Sequence, residues 1–337
     1  DLGDRETTLW SDIESLIVAV GHHRFPVRRD RAAITGLNIP QDTINVTIGT
    51  STKVTFSVTD AFDRPVVGIE TLIASDDRFV RFTLVKLVAG TNGDSDSWFS
   101  YIREEGVPTY DSPRQGGILA ANPDNTYTYT FAYDVSGDAA FDRTVTHRLG
   151  GQMGNADAGL TALNVVYDFV TDKSPVVDTR DVSLTSACNG CHGRLVVHGR
   201  RYEVGYCVTC HNPDCVVDGE SFDMAVMTHK IHAADPEYFG GEFAEVTYSQ
   251  DLANCRKCHD GADEADAHDD DDLLPLVPRR LREGRDALEF GGVVRGLREL
   301  ERLALGADGN GHGGTPSRNV LVRWCPGGTH GAAARGP

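Results

Sequence analysis

Three pentapeptides carry the residues best suited to chemistry: Cys188-Asn-Gly-Cys191-His192, Cys207-Val-Thr-Cys210-His211 and Cys255-Arg-Lys-Cys258-His259. Two thiols separated by two residues can form thioethers to the two vinyl groups on one porphyrin edge. A histidine directly after the second thiol then lies beneath the metal and supplies an axial nitrogen. Cys-x-x-Cys-His is therefore the attachment signature of c-type heme. Zinc is the competing reading, because Cys188, Cys191, Cys207 and Cys210 also space as a zinc ribbon. A ribbon has no need of a histidine at one fixed place after every pair. With 12 histidines in 337 residues, that coincidence would arise about five times in 100,000. A thioredoxin-type dithiol fits worse, since no βαβ pattern surrounds the pairs. The expected cofactor is three covalently bound heme c groups, each with its iron.

The remaining histidines bear on the far side of each iron. Residues 188–259 contain six: His192, His198, His211, His229, His232 and His259. Three are fixed by the motifs, which leaves three for three irons and predicts bis-histidine coordination throughout. His229 and His232 are three apart on a predicted helix and share a face. They cannot clamp one iron from opposite sides, so they serve two neighbouring hemes. His198 follows His192 by six residues and is expected to reach an adjacent heme. Which of the three serves which iron stays open at this point. A six-coordinate iron leaves no position for substrate, so no catalytic residue is expected and electron transfer is the better reading. The alternatives are a heme-dependent reductase of a small oxyanion, which needs one open iron, and a zinc-binding interaction module.

Other elements must position these groups. Ile44, Val46 and Ile48 alternate with polar residues, as do Val54, Phe56 and Val58, then Val80, Phe82 and Leu84. Tyr127 to Val135 and Leu163 to Phe169 repeat the period of two, which marks half-buried strands. Turn signals such as Asn92-Gly93-Asp94 and Asn122-Pro123-Asp124-Asn125 separate them. The expected fold is mainly β: a sandwich or small barrel over 33–172, then a loop-rich, little-α multiheme segment over 181–262. One helix is expected there, capped by Ser221 and running through Met224 to Ile231. Residues 1–32 read as a charged lead-in without a clean period. Residues 263–337 read as an atypical tail expected to lack fixed structure, with a weak amphipathic helix at 288–305. The acidic run Asp263 to Asp272 makes calcium conceivable but unsupported, because it lacks a glycine-spaced loop. Cys215 and Cys325 lack partner spacing; Cys215 reads as a bystander thiol and Cys325 as a remnant or accident. His147 reads as a core histidine rather than a ligand.

Composition narrows the partners. The formal charge of −18 repels a phosphate backbone and excludes nucleic acid. No run of eighteen apolar residues exists, so no transmembrane helix is expected. Aliphatic side chains are sparse between Cys188 and Cys258, so the hemes themselves must form much of that core.

The run from Cys188 through Val197-His198-Gly199-Arg200-Arg201, with Tyr206 to Pro213, Met227-Thr-His-Lys-Ile-His232 and Asn254 to Gly261, resembles the decaheme outer-membrane c-type cytochromes of the OmcA/MtrC family. The likeness covers about 33–262. It implies a β-domain before a heme cluster, two histidines on every iron, and a place at the outer membrane surface or outside the cell. The implied partners are other multiheme cytochromes or an outer-membrane electron conduit, with minerals or soluble shuttles as acceptors. The chain departs from the pattern in having three motifs rather than ten and no second β-domain. A truncated gene or shifted reading frames would produce residues 1–32 and 263–337.

Overall fold

The computed structural model describes residues 17–20, 23–26, 36–72, 79–91, 94–154, 162–198 and 200–261. The predicted tail features, including the helix at 288–305, the acidic run and Cys325, lie outside the described residues. Two four-stranded antiparallel sheets form the first half. One runs in the order β10 (Ile118–Ala121), β11 (Tyr127–Thr130), β4 (Lys53–Phe56), β3 (Asn45–Thr47). The other runs β13 (Leu163–Phe169), β12 (His147–Met153), β6 (Val80–Val88), β7 (Ser97–Ser100). They are separate sheets, so the architecture is a sandwich and not a closed barrel.

The alternating residues explain the packing. Val54, Phe56, Tyr127 and Tyr129 point inward from the first sheet, and Phe82, Leu84, Leu149 and Val165 from the second, into one buried cluster. Phe56 meets Phe82 edge-on across the sheets, with ring centroids 5.8 Å apart. The outer face of the first sheet is wet: Lys53 and Ile118 are exposed. The outer face of the second is not. Every residue of β12 is buried, and Val85, Leu87 and Trp98 form a small second cluster with Val208 of the heme segment.

Shorter pieces complete the fold. Residues 17–26, read from sequence as lacking a period, contain a hairpin of β1 (Ile17–Val20) and β2 (His23–Pro26). Its first strand pairs with β5 (Val66–Val67). Four apolar residues are too few to show alternation, which is why the strand is not visible in the sequence. A one-turn helix α1 (Ile69–Leu72) and the ribbon β8 (Arg103–Glu104) and β9 (Val107–Pro108) lie between the longer strands.

The segment after β13 is tied down by Arg148 on β12. Its guanidinium lies over the Trp98 ring at 4.5 Å and bonds Asp168 on β13 and Asp181 in the connection, at 2.7 and 2.8 Å. Beyond it come α2 (Thr185–His192), α3 (Val204–Cys207), the ribbon β14 (Val216–Val217) and β15 (Glu220–Ser221), and α4 (Met224–His232). The predicted helix forms, but Asp223 caps it and not Ser221. The Asp223 carboxylate accepts from the amides of Ala225 and Val226, at 3.0 and 3.4 Å. Ser221 ends β15, two residues too early to face the open amides, and its hydroxyl accepts from the Asp223 amide instead.

Candidate functional site

Each Cys-x-x-Cys-His motif is folded as a helical turn. Cys188 to His192 end α2. Cys207 ends α3, and the His211 amide bonds back to the Cys207 carbonyl at 2.9 Å. Cys255 to Lys257 form a 3-10 turn, and the His259 amide bonds the Cys255 carbonyl at 2.9 Å. In such a turn positions i, i+3 and i+4 share one face. Both thiols and the imidazole of each motif therefore face the same way, as attachment to one macrocycle requires.

The six histidines fall into three close pairs. His192 and His232 have ring centroids 6.1 Å apart, His198 and His211 6.0 Å, and His229 and His259 5.9 Å. Each set joins one motif histidine to one that lies outside the motifs. A metal bonded at about 2.0 Å to an imidazole nitrogen on each side holds the two centroids roughly 6 Å apart. The donor set thus fits an iron between two imidazoles. Hydrogen bonds fix the tautomers: Nδ1 of His211 contacts the Phe222 carbonyl at 2.9 Å, that of His229 the Ala225 carbonyl at 2.7 Å, and that of His232 the Thr228 carbonyl at 2.8 Å. With Nδ1 donating, the Nε2 lone pair is left for a metal.

Helix α4 places two of these sets side by side. His229 faces His259 of the third motif, and His232, three residues on, faces His192 of the first. About 4.5 Å of helix axis separates the two positions. The same two motifs are stitched elsewhere. The Asp260 carboxylate accepts from the Leu184 amide at 2.8 Å, and the Gly261 amide donates to the Val182 carbonyl at 3.0 Å. Tyr248 packs on the His232 ring with centroids 5.0 Å apart.

The second motif sits apart, on the sandwich. Thr209 donates to the Tyr206 carbonyl and receives a 2.7 Å bond from Thr83 of β6. Gly150 of β12 makes the approach possible. A Cβ there would stand 2.7 Å from Tyr206 Cδ2, 3.1 Å from Thr209 Cγ2, and closer still to Thr83 Oγ1. Cys207, Cys210 and His211 are buried, whereas Cys191 and Cys255 are exposed and Cys188 and Cys258 half-buried. Burial pushes the Cys207 thiol up to about 12 and raises Cys210 as well. A dithiol exchange site needs the opposite, a thiol that ionises readily. Burial likewise lowers His211, so its ring is neutral as a ligand must be; His198, although an exposed residue, is lowered too, by desolvation of the ring and by nearby Arg201. Among the described residues no three or more His, Cys, Asp or Glu side chains converge as a zinc ribbon would require.

Some residues take places the motifs do not foretell. Cys215, read as a bystander thiol, is fully buried and disulfide-bonded. His147 is indeed in the core: Nδ1 contacts the Val145 carbonyl and Nε2 the Tyr101 hydroxyl, each at 2.9 Å. Arg81 and Arg201 lie near His198; Arg201 falls in the Val197 to Arg201 run quoted above, whereas no motif marks Arg81.

Residues 180–278 match a family model described as outer membrane cytochrome MtrC/MtrF-like, domains II/IV. A curated relative, the multiheme cytochrome MtrC of Shewanella baltica (strain OS185), is 27% identical over 250 residues, 69% of this chain and 34% of the relative. The chain spans about a third of that protein's length. The crystal structure of MtrC from Shewanella baltica OS185 has a TM-score of 0.50 at 22% identity, covering 68% of this chain and 37% of that one. The crystal structure of the outer membrane decaheme cytochrome OmcA has a TM-score of 0.52 at 18% identity, covering 69% and 40%.

Proposed function

We propose that this chain, a cytochrome of the OmcA/MtrC type, transfers electrons outside the cell through three hemes c, each clamped by two histidines. The observation that carries this reading is the set of three imidazole pairs near 6 Å, every one joining a motif histidine to a non-motif histidine. Cys188 and Cys191, Cys207 and Cys210, and Cys255 and Cys258 supply the thioether sulfurs. His192 with His232, His211 with His198, and His259 with His229 supply the axial nitrogens. Bound heme contributes a one-electron couple at its iron.

The protein's share is to hold those couples still and close. Nδ1 hydrogen bonds to backbone carbonyls keep the rings of His211, His229 and His232 from turning. With both axial positions filled by the chain, no coordination site is left for a substrate. His229 and His232, three residues apart on α4, would hold the first and third hemes side by side, so exchange of an electron between them would need no moving part. In this reading residues 33–172 space or dock the conductor and residues 181–262 form it. The partners are other multiheme cytochromes or an outer-membrane conduit on one side. Minerals or soluble shuttles lie on the other. Among the described residues no helix is long and apolar enough to cross a membrane.

Export of the chain with a heme-attachment system tests this. Intact mass should show three hemes on six cysteines, and carbon monoxide should leave the reduced spectrum unchanged. His232→Ala and His198→Ala should each open one third of the heme to carbon monoxide. Unmodified sulfurs at the six positions sink the proposal. Carbon monoxide binding by the unaltered protein would instead point to a reductase of a small oxyanion.

A further inference from the structure

We propose that Tyr248 is a positioning residue shared by two centres: its ring braces His232, an axial ligand of the first heme, and its hydroxyl donates to the Cys258 sulfur of the third. The inference rests on the three-heme reading above. Tyr248 lies in the connection between α4 and the third motif, ten residues before Cys258. It is half-buried, as are His232 and Cys258. Its ring centroid stands 5.0 Å from that of His232, with the planes tilted by 57°. Its hydroxyl oxygen is 3.9 Å from Cys258 Sγ, within the longer reach of a hydrogen bond to sulfur. One side chain thus touches a ligand of one centre and an attachment point of the next. The joint it sits on is already closed at the backbone, by Leu184 to Asp260 and by Gly261 to Val182.

The ring and the hydroxyl act differently. His232 is held at Nδ1 by the Thr228 carbonyl, at 2.8 Å. A single hydrogen bond lets the imidazole plane rock about it, and an aromatic ring packed against it limits that motion. The plane of an axial imidazole governs its overlap with the iron, so the brace sharpens the low-spin signal of the first centre. The hydroxyl meets a thiol in the bare chain, where either atom can donate. Addition of that thiol across a heme vinyl group moves its hydrogen to carbon. The sulfur is then an acceptor only, and the phenol, protonated at neutral pH, is the donor. Attachment of the third heme therefore sets the direction of this bond. The positive end of the O–H dipole points at the porphyrin edge. The reduced iron carries one positive charge fewer than the oxidised one, so this dipole favours reduction and raises the potential.

Spectroelectrochemical titration and paramagnetic resonance of the exported, heme-loaded protein separate the two roles. Tyr248→Phe keeps the ring and loses the hydroxyl. One third of the total absorbance change should move to lower potential, two thirds should stay, and every low-spin signal should keep its width. The shifted wave should be the one that carbon monoxide displaces in His229→Ala. Tyr248→Leu loses ring and hydroxyl together. It should move the same wave and also broaden one low-spin signal, the one that His232→Ala abolishes. Tyr133→Phe, which removes a hydroxyl bonded to Asp138 on the sandwich, is the control and should move nothing. Three attached hemes with unmoved potentials in Tyr248→Phe, or a shift common to all three centres, would overturn the hydroxyl's role while leaving the heme reading intact. Unbroadened signals in Tyr248→Leu would overturn the brace in the same way. Intact mass showing no heme on Cys255 and Cys258 of the unaltered protein would overturn the heme reading and this inference with it.

Discussion

Two buried histidines show how the same side chain is spent in different ways. His147 uses both ring nitrogens within the protein, on the Val145 carbonyl and the Tyr101 hydroxyl, and is enclosed by Tyr101, Phe141 and Phe169. It has no lone pair to give a metal. His211 uses only Nδ1 on protein and faces His198 across 6.0 Å. Burial holds His147 at about 4 against an ordinary 6.5. The folded state therefore binds a proton less readily than the unfolded state between those two values. The contribution is whole above pH 6.5 and is lost as pH falls toward 4. The total is on the order of 3 kcal/mol, with about 2 kcal/mol gone by pH 5. His147→Gln removes the titrating ring, so its denaturation midpoint should fall less between pH 7 and pH 5 than that of the unaltered protein. Equal falls would mean that other groups carry the acid sensitivity.

At the scale of elements, two joints deserve substitution because each serves a centre it does not ligate. Asp223→Ala should cost about 1 kcal/mol by uncapping α4. Because α4 holds both His229 and His232, the variant should broaden the low-spin signals of two hemes together and leave the third unchanged. Gly150→Val, by contrast, pushes side-chain atoms into Tyr206, Thr209 and Thr83. It should destabilise by roughly 1–3 kcal/mol and disturb only the heme on His211, whose motif rests there. The same elements show what a sequence can reveal. Strands β3, β4 and β11 announce themselves because one face is more open to water than the other, and β13 alternates in residue type although its outer face is covered. Strand β12 does not, since all seven residues are buried and Gly150-Gly151 interrupts any pattern. The motif histidines are legible from spacing alone, because a helical turn fixes them locally. The pairing of His198 with His211, and of His232 with His192, depends on where distant loops return, and Arg81 reaches its neighbours only through the sandwich. No local pattern encodes that.

For the whole molecule, the two halves are held together by different means. The sandwich has a continuous core of aromatic and β-branched side chains. The heme segment has less of the kind: neither α2 nor α4 contains a buried residue, Val204, Tyr206, Cys207 and Cys210 are buried near the sandwich, and Phe222 and Tyr238 head a small aromatic cluster with Phe239 and Phe243. The first and third motifs lack that support and are joined to each other by the hydrogen bonds at Leu184 and Gly261, so a group between the imidazoles would add much of their hold. Heme attachment should then supply the folding free energy of this segment, as structural metals do in small domains. Chain made in the cytoplasm, where the thiols stay bare, should contain a folded sandwich and an open segment beyond it. Limited proteolysis should cut that chain after residue 180, near Arg194, Arg200 or Lys230, and spare a fragment ending close to Asp172. The exported, heme-loaded chain should resist the same protease through residue 261. Equal resistance of the two forms would show that side chains alone suffice to fix residues 181–261, and that the hemes enter a structure already made.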